Sequence, residues 1–287
     1  MNRSGRANPL TVVVDSTWLR VKVQLALYRF EQRGVRKIHW KTTAMGTVYA
    51  LSWTIVPRNT FGSLQDSLLF QSNYAGDFDD YIAVFVQLHG SGLFAHFKAV
   101  PGFGKIVRAG MGERFIQEHN YPTLLYWAAY DDLSPRDLGQ LGINAADALD
   151  PRWITMILPL HPGKATHAIT AARLKESSED TPFDLPGVHF ARIAAVPRRT
   201  GTFLIVSMVV DRDGRSDEDV ISQLVARDRP FWTEVAHAVD AKDNEPTRVL
   251  LEHLVHQNNS LSYFCAPGAT RASICAQRDA GLLRLRS

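Results

Sequence analysis

The sequence predicts an α+β fold of two similar halves that pack sheet to sheet. The first observation is a repeat, since an apolar, β-prone run that ends at a proline occurs at 46–57 and again at 187–197. The second is that another apolar run follows each copy, at 67–72 and at 203–207. The third is that helix-type patterns separate these strands in the same order in both halves. Together they indicate a duplicated α+β chain.

The length and composition agree with a duplication. A chain of 287 residues is long enough for two domains of ordinary size. Its hydrophobic content of 45% and charged content of 21% are typical of globular proteins. The two copies align without a gap when Pro57 is placed on Pro197. We therefore predict two halves, residues 1–150 and residues 151–287.

The elements of the first half follow in order. Leu-Thr-Val-Val-Val at 10–14 predicts a short strand. The next segment, 17–34, fits both a strand and a helical stripe, and its length and terminal glycine favour a helix. After the two core strands, a second helix is expected between Gly76 and Gly90. The apolar, aromatic run at 121–130 predicts the last strand.

The second half repeats this order. Its predicted elements are a strand at 154–160, a helix at 165–174, the strand pair, a helix capped at 216–219 that restarts at 231–239 after Pro230, a helix at 247–256 and a strand at 261–265. Each half thus has the order βαββαβ, the ferredoxin-like plan of an antiparallel sheet with helices on one face. Two such halves can stack their open faces as an α+β barrel and enclose a ligand pocket between the sheets.

Charge and cysteine content restrict the class of partner. The net charge of +3 does not imply nucleic acid or membrane binding by itself, although residues 1–41 are rich in Lys and Arg. The cysteines, Cys265 and Cys275, form no CxxC pair, so a thiolate zinc site is not expected and a reducing cytoplasm is the simpler location. No apolar run approaches the ~20 residues of a membrane span, and residues 1–9 lack the apolar core of a signal peptide.

Two motifs carry a family resemblance. Gly-Val-His-Phe-Ala-Arg at 187–192 resembles a "THFAR" strand motif, and the segment 68–77 resembles the motif that follows it. Proteins with these motifs belong to the dimeric α+β-barrel superfamily and include uncharacterised bacterial proteins found beside haem peroxidases and catalases. The resemblance implies haem as a cofactor and a haem enzyme as a partner. The GxxDG motif of dye-decolorizing peroxidases is missing, because 211–214 reads Asp-Arg-Asp-Gly.

Three functional hypotheses follow. The first is a haem-linked or small-molecule oxidoreductase, peroxidase-like, that acts on an apolar molecule in the inter-sheet pocket. It predicts a histidine facing a cavity large enough for haem. The second is a non-catalytic ligand-binding or accessory protein, with a pocket filled by Tyr49, Trp53 and Trp127. The third is a cofactor-free monooxygenase or isomerase, with His189 or Arg192 in a small polar pocket. Each is compatible with a monomer or a homo-oligomer.

His189 and Arg192 are the candidate catalytic residues. Strand alternation places them on opposite faces of one core strand, and one of these faces should line the inter-sheet space. If the His189 face points inward, the imidazole can act as an acid–base group. If the Arg192 face points inward, the guanidinium can bind an anion. A hydrogen-bonded core histidine is the structural alternative. The first copy has Tyr49 and Ser52 at these positions.

Four further histidines are candidate haem ligands. His119 and His256 each lie seven residues before a tyrosine of a last strand, so both halves place a histidine ahead of that strand. Capping of the preceding helix is the alternative for this pair. His96 is flanked by aromatic residues, and His237 lies on the helix predicted at 231–239. A helical histidine that faces an apolar cavity is typical of a proximal haem ligand, and a surface or core position is the alternative.

Overall fold

The computed structural model describes residues 7–16, 23, 46–83, 97, 100–108, 111–130, 132–140, 151–176, 178, 180–239, 241, 244–255, 260–266 and 268–280. The helix predicted at 17–34 lies outside these ranges apart from Val23, and so do His96 and His256. Residues 78–83 are helical, in agreement with the helix expected after Gly76.

The described strands follow the predicted order, whereas the helices at 103–108, 112–118, 135–140 and 271–279 were not predicted. The strands are β1 (Ala7–Ser16), β2 (Val48–Val56), β3 (Asp66–Ala75), β4 (Thr123–Ala128), β5 (Arg152–Leu160), β6 (Val188–Arg198), β7 (Gly201–Val210) and β8 (Ser260–Phe264). The helices are α1 (Phe103–Arg108), α2 (Gly112–Glu118), α3 (Pro135–Gln140), α4 (Ala165–Glu176), α5 (Asp217–Arg227), α6 (Arg229–Ala238), α7 (Pro246–Glu252) and α8 (Arg271–Asp279).

Local chemistry explains the element ends. Ser216 and Asp219 form a reciprocal capping box at the start of α5. Asp228 then accepts from the backbone N–H of Phe231, and Pro230 stands in the first turn of α6, where its missing N–H has no cost. The chain therefore breaks between α5 and α6 at the point that Pro230 predicts.

The strands form two antiparallel four-stranded sheets, in the orders β1-β3-β2-β8 and β4-β6-β7-β5. This confirms the α+β class with two sheet-packed halves. Every residue of β2 is buried, because one face packs on helices and the other faces the second sheet. That burial explains why the repeated strand is a continuous apolar run rather than an alternating one.

Each sheet takes its fourth strand from the other half of the sequence. β4 belongs to residues 1–150 but pairs with β6, and β8 belongs to residues 151–287 but pairs with β2. The halves are therefore interlocked by an exchange of their last strands. The sequence pattern predicts these strands but not their neighbours.

Short contacts between the sheets close the structure into a barrel. The backbone N–H of Tyr121, just before β4, donates to the carbonyl oxygen of Thr11 in β1 at 2.8 Å. On the opposite side the N–H of Val255, just before β8, donates to the carbonyl oxygen of Thr155 in β5, also at 2.8 Å. Each exchanged strand thus first touches its own sheet and then crosses to the other.

The space between the sheets is packed with side chains along much of its length. At the end that holds the β2–β3 and β6–β7 hairpins it is apolar, with Val13, Val56, Leu69, Ile157, Val196, Phe203 and Ile205 in one buried cluster. In the middle, the side-chain amide of Gln71 donates to the hydroxyl of Ser207 at 2.7 Å across the two sheets. Thr155 lies within 3.5 Å of both groups. The middle of the predicted inter-sheet pocket is therefore filled.

None of the helices in the described part of the chain is both long and apolar enough to cross a bilayer.

Candidate active site

The candidate site is built on a β-bulge at the start of β6. The pairing of β6 with β7 shifts register between Val188 and Phe190, so His189 is the extra residue. Gly187 precedes it with φ +75°, a conformation that favours glycine. A Cβ on Gly187 would also lie 3.2 Å from Oδ2 of Asp211. The bulge aims the imidazole at the end of the barrel opposite the hairpins.

His189 connects two other buried polar side chains. Its Nε2 lies 2.8 Å from Oδ1 of Asp211, which directly follows β7. Its Nδ1 is hydrogen-bonded to the hydroxyl of Tyr130, which follows the exchanged strand β4. His189 is fully buried, Tyr130 is 1% exposed and Asp211 is 6% exposed. We call Tyr130, His189 and Asp211 the relay.

The relay has a definite direction of hydrogen bonding. With Asp211 ionised, we assign the imidazole proton to Nε2, which donates to the carboxylate and leaves Nδ1 to accept from the Tyr130 hydroxyl. Burial, reinforced by the nearby Cys265 and Asp211, raises the pKa of Tyr130 well above its ordinary value. Tyr130 is therefore a neutral phenol at pH 7, able to pass its proton to His189.

The relay is anchored to the last helix and walled by aromatic rings. Both carboxylate oxygens of Asp211 accept from the backbone N–H of Arg271, at 3.3 and 3.1 Å, at the first residue of α8. The ring of Phe264 lies edge-on to His189 with centroids 4.8 Å apart, and Phe190 lies edge-on to Tyr130 at 5.4 Å. Buried aromatic rings therefore pack directly against the acid–base groups of the relay.

The duplication provides an internal comparison, because equivalent backbone hydrogen bonds fix equivalent positions. In the second sheet the N–H of Ala129 donates to the carbonyl oxygen of His189 at 2.9 Å, and in the first sheet the N–H of Cys265 donates to that of Tyr49 at 2.8 Å. Likewise the N–H of Asp211 donates to the carbonyl oxygen of Gly187 at 2.8 Å, and the N–H of Ala75 donates to that of Thr47 at 2.7 Å. The β2–β3 pairing also shifts register between Val48 and Ala50, so the bulge itself is duplicated.

The equivalent end of the first half lacks the relay. Its positions that match Tyr130, His189 and Asp211 are Ala266, Tyr49 and Ala75. Tyr49 is also buried, and its hydroxyl donates to the carbonyl oxygen of Leu133 at 2.7 Å. The same backbone therefore folds without the charged pair, which indicates that the bulge does not need the relay for its own stability.

Arg192 faces the opposite sheet and crosses the barrel interior. Its Nη1 donates to the carbonyl oxygen of Leu10 at 2.6 Å, and its Nη2 donates to the carbonyl oxygen of Ser72 at 3.0 Å and to Oδ1 of Asn73 at 2.5 Å. These acceptors are uncharged. Desolvation therefore lowers the pKa of Arg192 to about 10. The Arg192 face is the inward one, and the guanidinium connects β6 with β1 and β3.

Neither of the described candidate haem ligands, His119 and His237, is part of the relay. His119 follows α2, with Nδ1 2.8 Å from the carbonyl oxygen of Phe115, so it caps that helix. Its counterpart in the second half is His253, whose Nδ1 lies 2.8 Å from the carbonyl oxygen of Val249 at the end of α7. His237 is exposed on α6, beside a surface cleft of about 410 Å³.

We compared these positions with what an axial haem ligand requires, a ring nitrogen that is free to bind iron. His189 does not fit, since both of its ring nitrogens are hydrogen-bonded. In His119 the hydrogen bond to Phe115 uses Nδ1 and leaves Nε2 for a ligand, although the imidazole stacks on the Phe115 ring with centroids 4.2 Å apart. The haem prediction therefore rests on His119 and His237, and on His96 and His256, which lie outside the described residues. Within the described ranges, no group of three or more His, Cys, Asp or Glu residues is arranged to hold a metal ion.

Comparison with known proteins gives a weak likeness of fold. No protein-family model matches the sequence, and no curated protein matches it. A protein from Fusobacterium nucleatum, described as a candidate monooxygenase, aligns with a TM-score of 0.39 and 8% identity, over 83% of this chain and 90% of that chain. An anthrone oxidase-like protein aligns with a TM-score of 0.31 and 11% identity, over 93% of this chain and 96% of that chain. At these TM-scores neither likeness bears on activity.

Sequence reasoning identified His189 and missed its partners. Tyr130 ends a predicted strand, and Asp211 stands in a segment that was compared with a peroxidase motif it does not match. Their contact depends on the exchange of β4 into the second sheet, which no local pattern encodes. The backbone hydrogen bonds align Tyr130 with Ala266 and Asp211 with Ala75, whereas the spacing from Tyr126 and Tyr263 places Tyr130 opposite Pro267, so this signal needs the structure.

Proposed function

We propose that this protein is a small-molecule oxidoreductase of the cofactor-independent, monooxygenase-like kind, with the relay as its acid–base group. The observation that supports this proposal is the asymmetry of the duplication. A buried Tyr–His–Asp chain stands at one bulge. The equivalent bulge has the same backbone, but Tyr49 replaces the histidine, and Ala266 and Ala75 replace the tyrosine and the aspartate. Residues that the backbone does not need are candidates for chemistry.

The proposed reaction starts with proton transfer. An acidic C–H of the substrate gives its proton to the Tyr130 oxygen while the Tyr130 proton moves to Nδ1 of His189. Asp211, 2.8 Å from Nε2, stabilises the imidazolium that forms. Burial strengthens this attraction, because the surroundings have a low dielectric constant. The relay thus removes a proton without placing a free phenolate in the protein.

The aromatic rings of Phe190 and Phe264 beside the relay favour an aromatic substrate. A CH₂ group flanked by aromatic rings gives a delocalised carbanion, which can transfer one electron to O₂ without a cofactor. Recombination of the resulting radical with superoxide and a proton gives a hydroperoxide, and loss of water from it gives a ketone. The balance is one CH₂ and one O₂ converted to one C=O and one H₂O.

Oxygen uptake with anthrone tests this proposal. Anthrone is an apolar aromatic ketone with such a CH₂ group. The wild-type protein should consume O₂ in proportion to protein concentration, and His189→Gln should lower that rate about a hundredfold, the scale of acid–base catalysis. Tyr49→Phe, at the equivalent bulge, is the matched control and should leave the rate unchanged. Uptake no faster than in buffer, or equal rates in wild type and His189→Gln, would contradict the proposal.

Haem binding is a separate prediction. Titration of the purified protein with haem should give a Soret band if His119, His237, His96 or His256 binds the iron, and the corresponding alanine variant should lose it. The oxygen-uptake assay does not depend on this outcome, since the relay residues themselves are not the proposed ligands.

A further inference from the structure

The hairpin end of the barrel carries a second feature that the relay does not use. A cleft of about 870 Å³ lies between the β2–β3 turn and the β6–β7 turn. Its walls come from both halves, because Phe61 and Leu64 stand on one side and Arg198 and Thr200 on the other. The Thr200 hydroxyl donates to the carbonyl oxygen of Phe61 at 2.8 Å and ties the two turns together.

The cleft contains a cation with unused hydrogen-bond donors. The Arg198 side chain is 18% exposed, and its Nε and Nη2 are buried without a hydrogen-bond partner among the described residues. Oδ1 of Asp15 lies 3.5 Å from Nη2, and the same oxygen accepts from the hydroxyl of Ser67 at 3.1 Å. Arg198 thus has a long ion pair through Nη2, whereas its Nε has no acceptor among the described residues, so part of the hydrogen-bonding capacity of the guanidinium is unused.

Charge in the cleft favours an anion. Arg198 and the exposed Arg199 both line it, and Asp15 is the acidic residue of the lining. The net charge of these three side chains is therefore positive. A guanidinium presents parallel N–H donors that match the two oxygens of a carboxylate.

Apolar groups next to the cation define the rest of the ligand. The Arg198 guanidinium lies 5.3 Å from the centroid of the Phe61 ring, which fixes it against an apolar surface. Leu64 also lines the cleft and is 88% exposed, which is unusual for a large aliphatic side chain. A charged group beside an exposed leucine matches a molecule with an anionic head and an apolar body.

We propose that the cleft between the two hairpins binds a monocarboxylate with an apolar body, such as a fatty acid or an aryl carboxylate. The carboxylate pairs with Arg198, assisted by Arg199, and the apolar body covers Leu64 and Phe61. This site lies at the end of the barrel opposite the relay, so it is independent of the proposed oxidation.

Calorimetric titration with dodecanoate, kept below the concentration at which dodecanoate forms micelles, tests the proposal. Wild-type protein should bind dodecanoate more tightly than acetate, because acetate cannot cover Leu64. Arg198→Met keeps an unbranched apolar side chain at this position and removes the charge, and it should weaken dodecanoate binding about tenfold or more. Arg58→Met is the matched control, since Arg58 is an exposed arginine of the same turn outside the cleft lining.

A second variant separates the two parts of the ligand and guards against misfolding of the first. Leu64→Ser changes an exposed side chain, so it should fold, and it should weaken binding of dodecanoate without changing that of acetate. Absence of dodecanoate binding to wild type, or equal affinity in Arg198→Met, would overturn the proposal. Binding to vesicles of anionic phospholipid without binding of dodecanoate would also overturn it, because that result indicates a lipid headgroup surface.

Discussion

At the residue scale, the two buried ionisable side chains of β6, His189 and Arg192, have different surroundings. His189 is placed between a phenol and a carboxylate, so a proton that it gains is stabilised at once by Asp211. Arg192 has uncharged acceptors from the opposite sheet and carries its charge into the barrel interior. The first arrangement suits proton transfer, and the second suits cross-linking of strands.

Arg192 should therefore matter for stability. In Arg192→Met the carbonyl oxygens of Leu10 and Ser72 lose their donor within a buried space, and we expect the free energy of unfolding to fall by about 2–4 kcal/mol. Ser52→Ala, at the equivalent position of β2, is the control and should cost about 1 kcal/mol or less. Urea denaturation measures both, and equal stability of Arg192→Met and wild type would show that the clamp contributes nothing.

Buried tyrosines set the expected response to alkaline pH. Burial raises the pKa of Tyr74 to about 12, and it also raises the pKa values of Tyr81 and Tyr130. An unfolded tyrosine ionises near pH 10, so above this pH the unfolded state binds fewer protons than the folded state and the free energy of unfolding falls. Arg192, with its pKa lowered to about 10, acts in the opposite direction but is one group against three.

The measurement is the free energy of unfolding as a function of pH. Tyrosine ionisation should leave the free energy of unfolding constant below pH ~9 and should lower it between pH ~10 and ~12. Tyr81→Phe removes one late-titrating phenol, whose hydroxyl donates to Ser72 at 3.0 Å, so the fall should be shallower in this variant. An equal slope in the two proteins would show that Tyr81 ionises in the folded state as easily as in the unfolded one.

At the element scale, the sequence predicts what each strand is but not where it pairs. The run that ends at Pro57 recurs at Pro197 because β2 and β6 are buried on both faces, and that pattern is local. The neighbours of β4 and β8 depend on contacts more than 60 residues away along the chain, which periodicity cannot encode. The bulge at His189 also shifts strand alternation, so its direction could not be derived from residue parity.

Matching His119 with a histidine of the second half also requires the structure. Spacing to Tyr126 and Tyr263 pairs His119 with His256, whereas the caps of α2 and α7 pair His119 with His253. The loops that lead to β4 and β8 differ in length, so counting residues backward from the strands misplaces the cap. The capping alternative for His119 is visible in its hydrogen bond to Phe115.

The exchanged strands predict that neither half folds alone. Residues 1–150 expressed separately would lack β8, and residues 151–287 would lack β4, so each sheet would lose a strand and expose the edge of β2 or β6. We expect each fragment to be unfolded or aggregated by circular dichroism and size-exclusion chromatography. Coexpression of the two fragments should restore a stoichiometric, cooperatively unfolding complex. A monomeric fragment with a cooperative transition would show that the halves are independent.

At the scale of the whole molecule, a duplicated barrel has different chemistry at its two bulges and a separate cleft at its hairpin end. Both bulges share backbone hydrogen bonds, yet the charged relay stands in one of them. This divergence is the basis for assigning chemistry to His189 rather than to the fold. The exchange of β4 is what brings Tyr130 to His189 and Asp211, so architecture and site depend on the same feature.

Proton removal by the relay can be measured apart from oxidation, as exchange of the anthrone CH₂ protons for deuterium. The exchange is followed by proton NMR in D₂O without oxygen, so that no oxidation follows. Wild type and Tyr49→Phe should accelerate the exchange equally, and His189→Gln should lose about a hundredfold of that acceleration while keeping its circular dichroism spectrum. Equal acceleration by wild type and folded His189→Gln would show that the relay does not remove this proton.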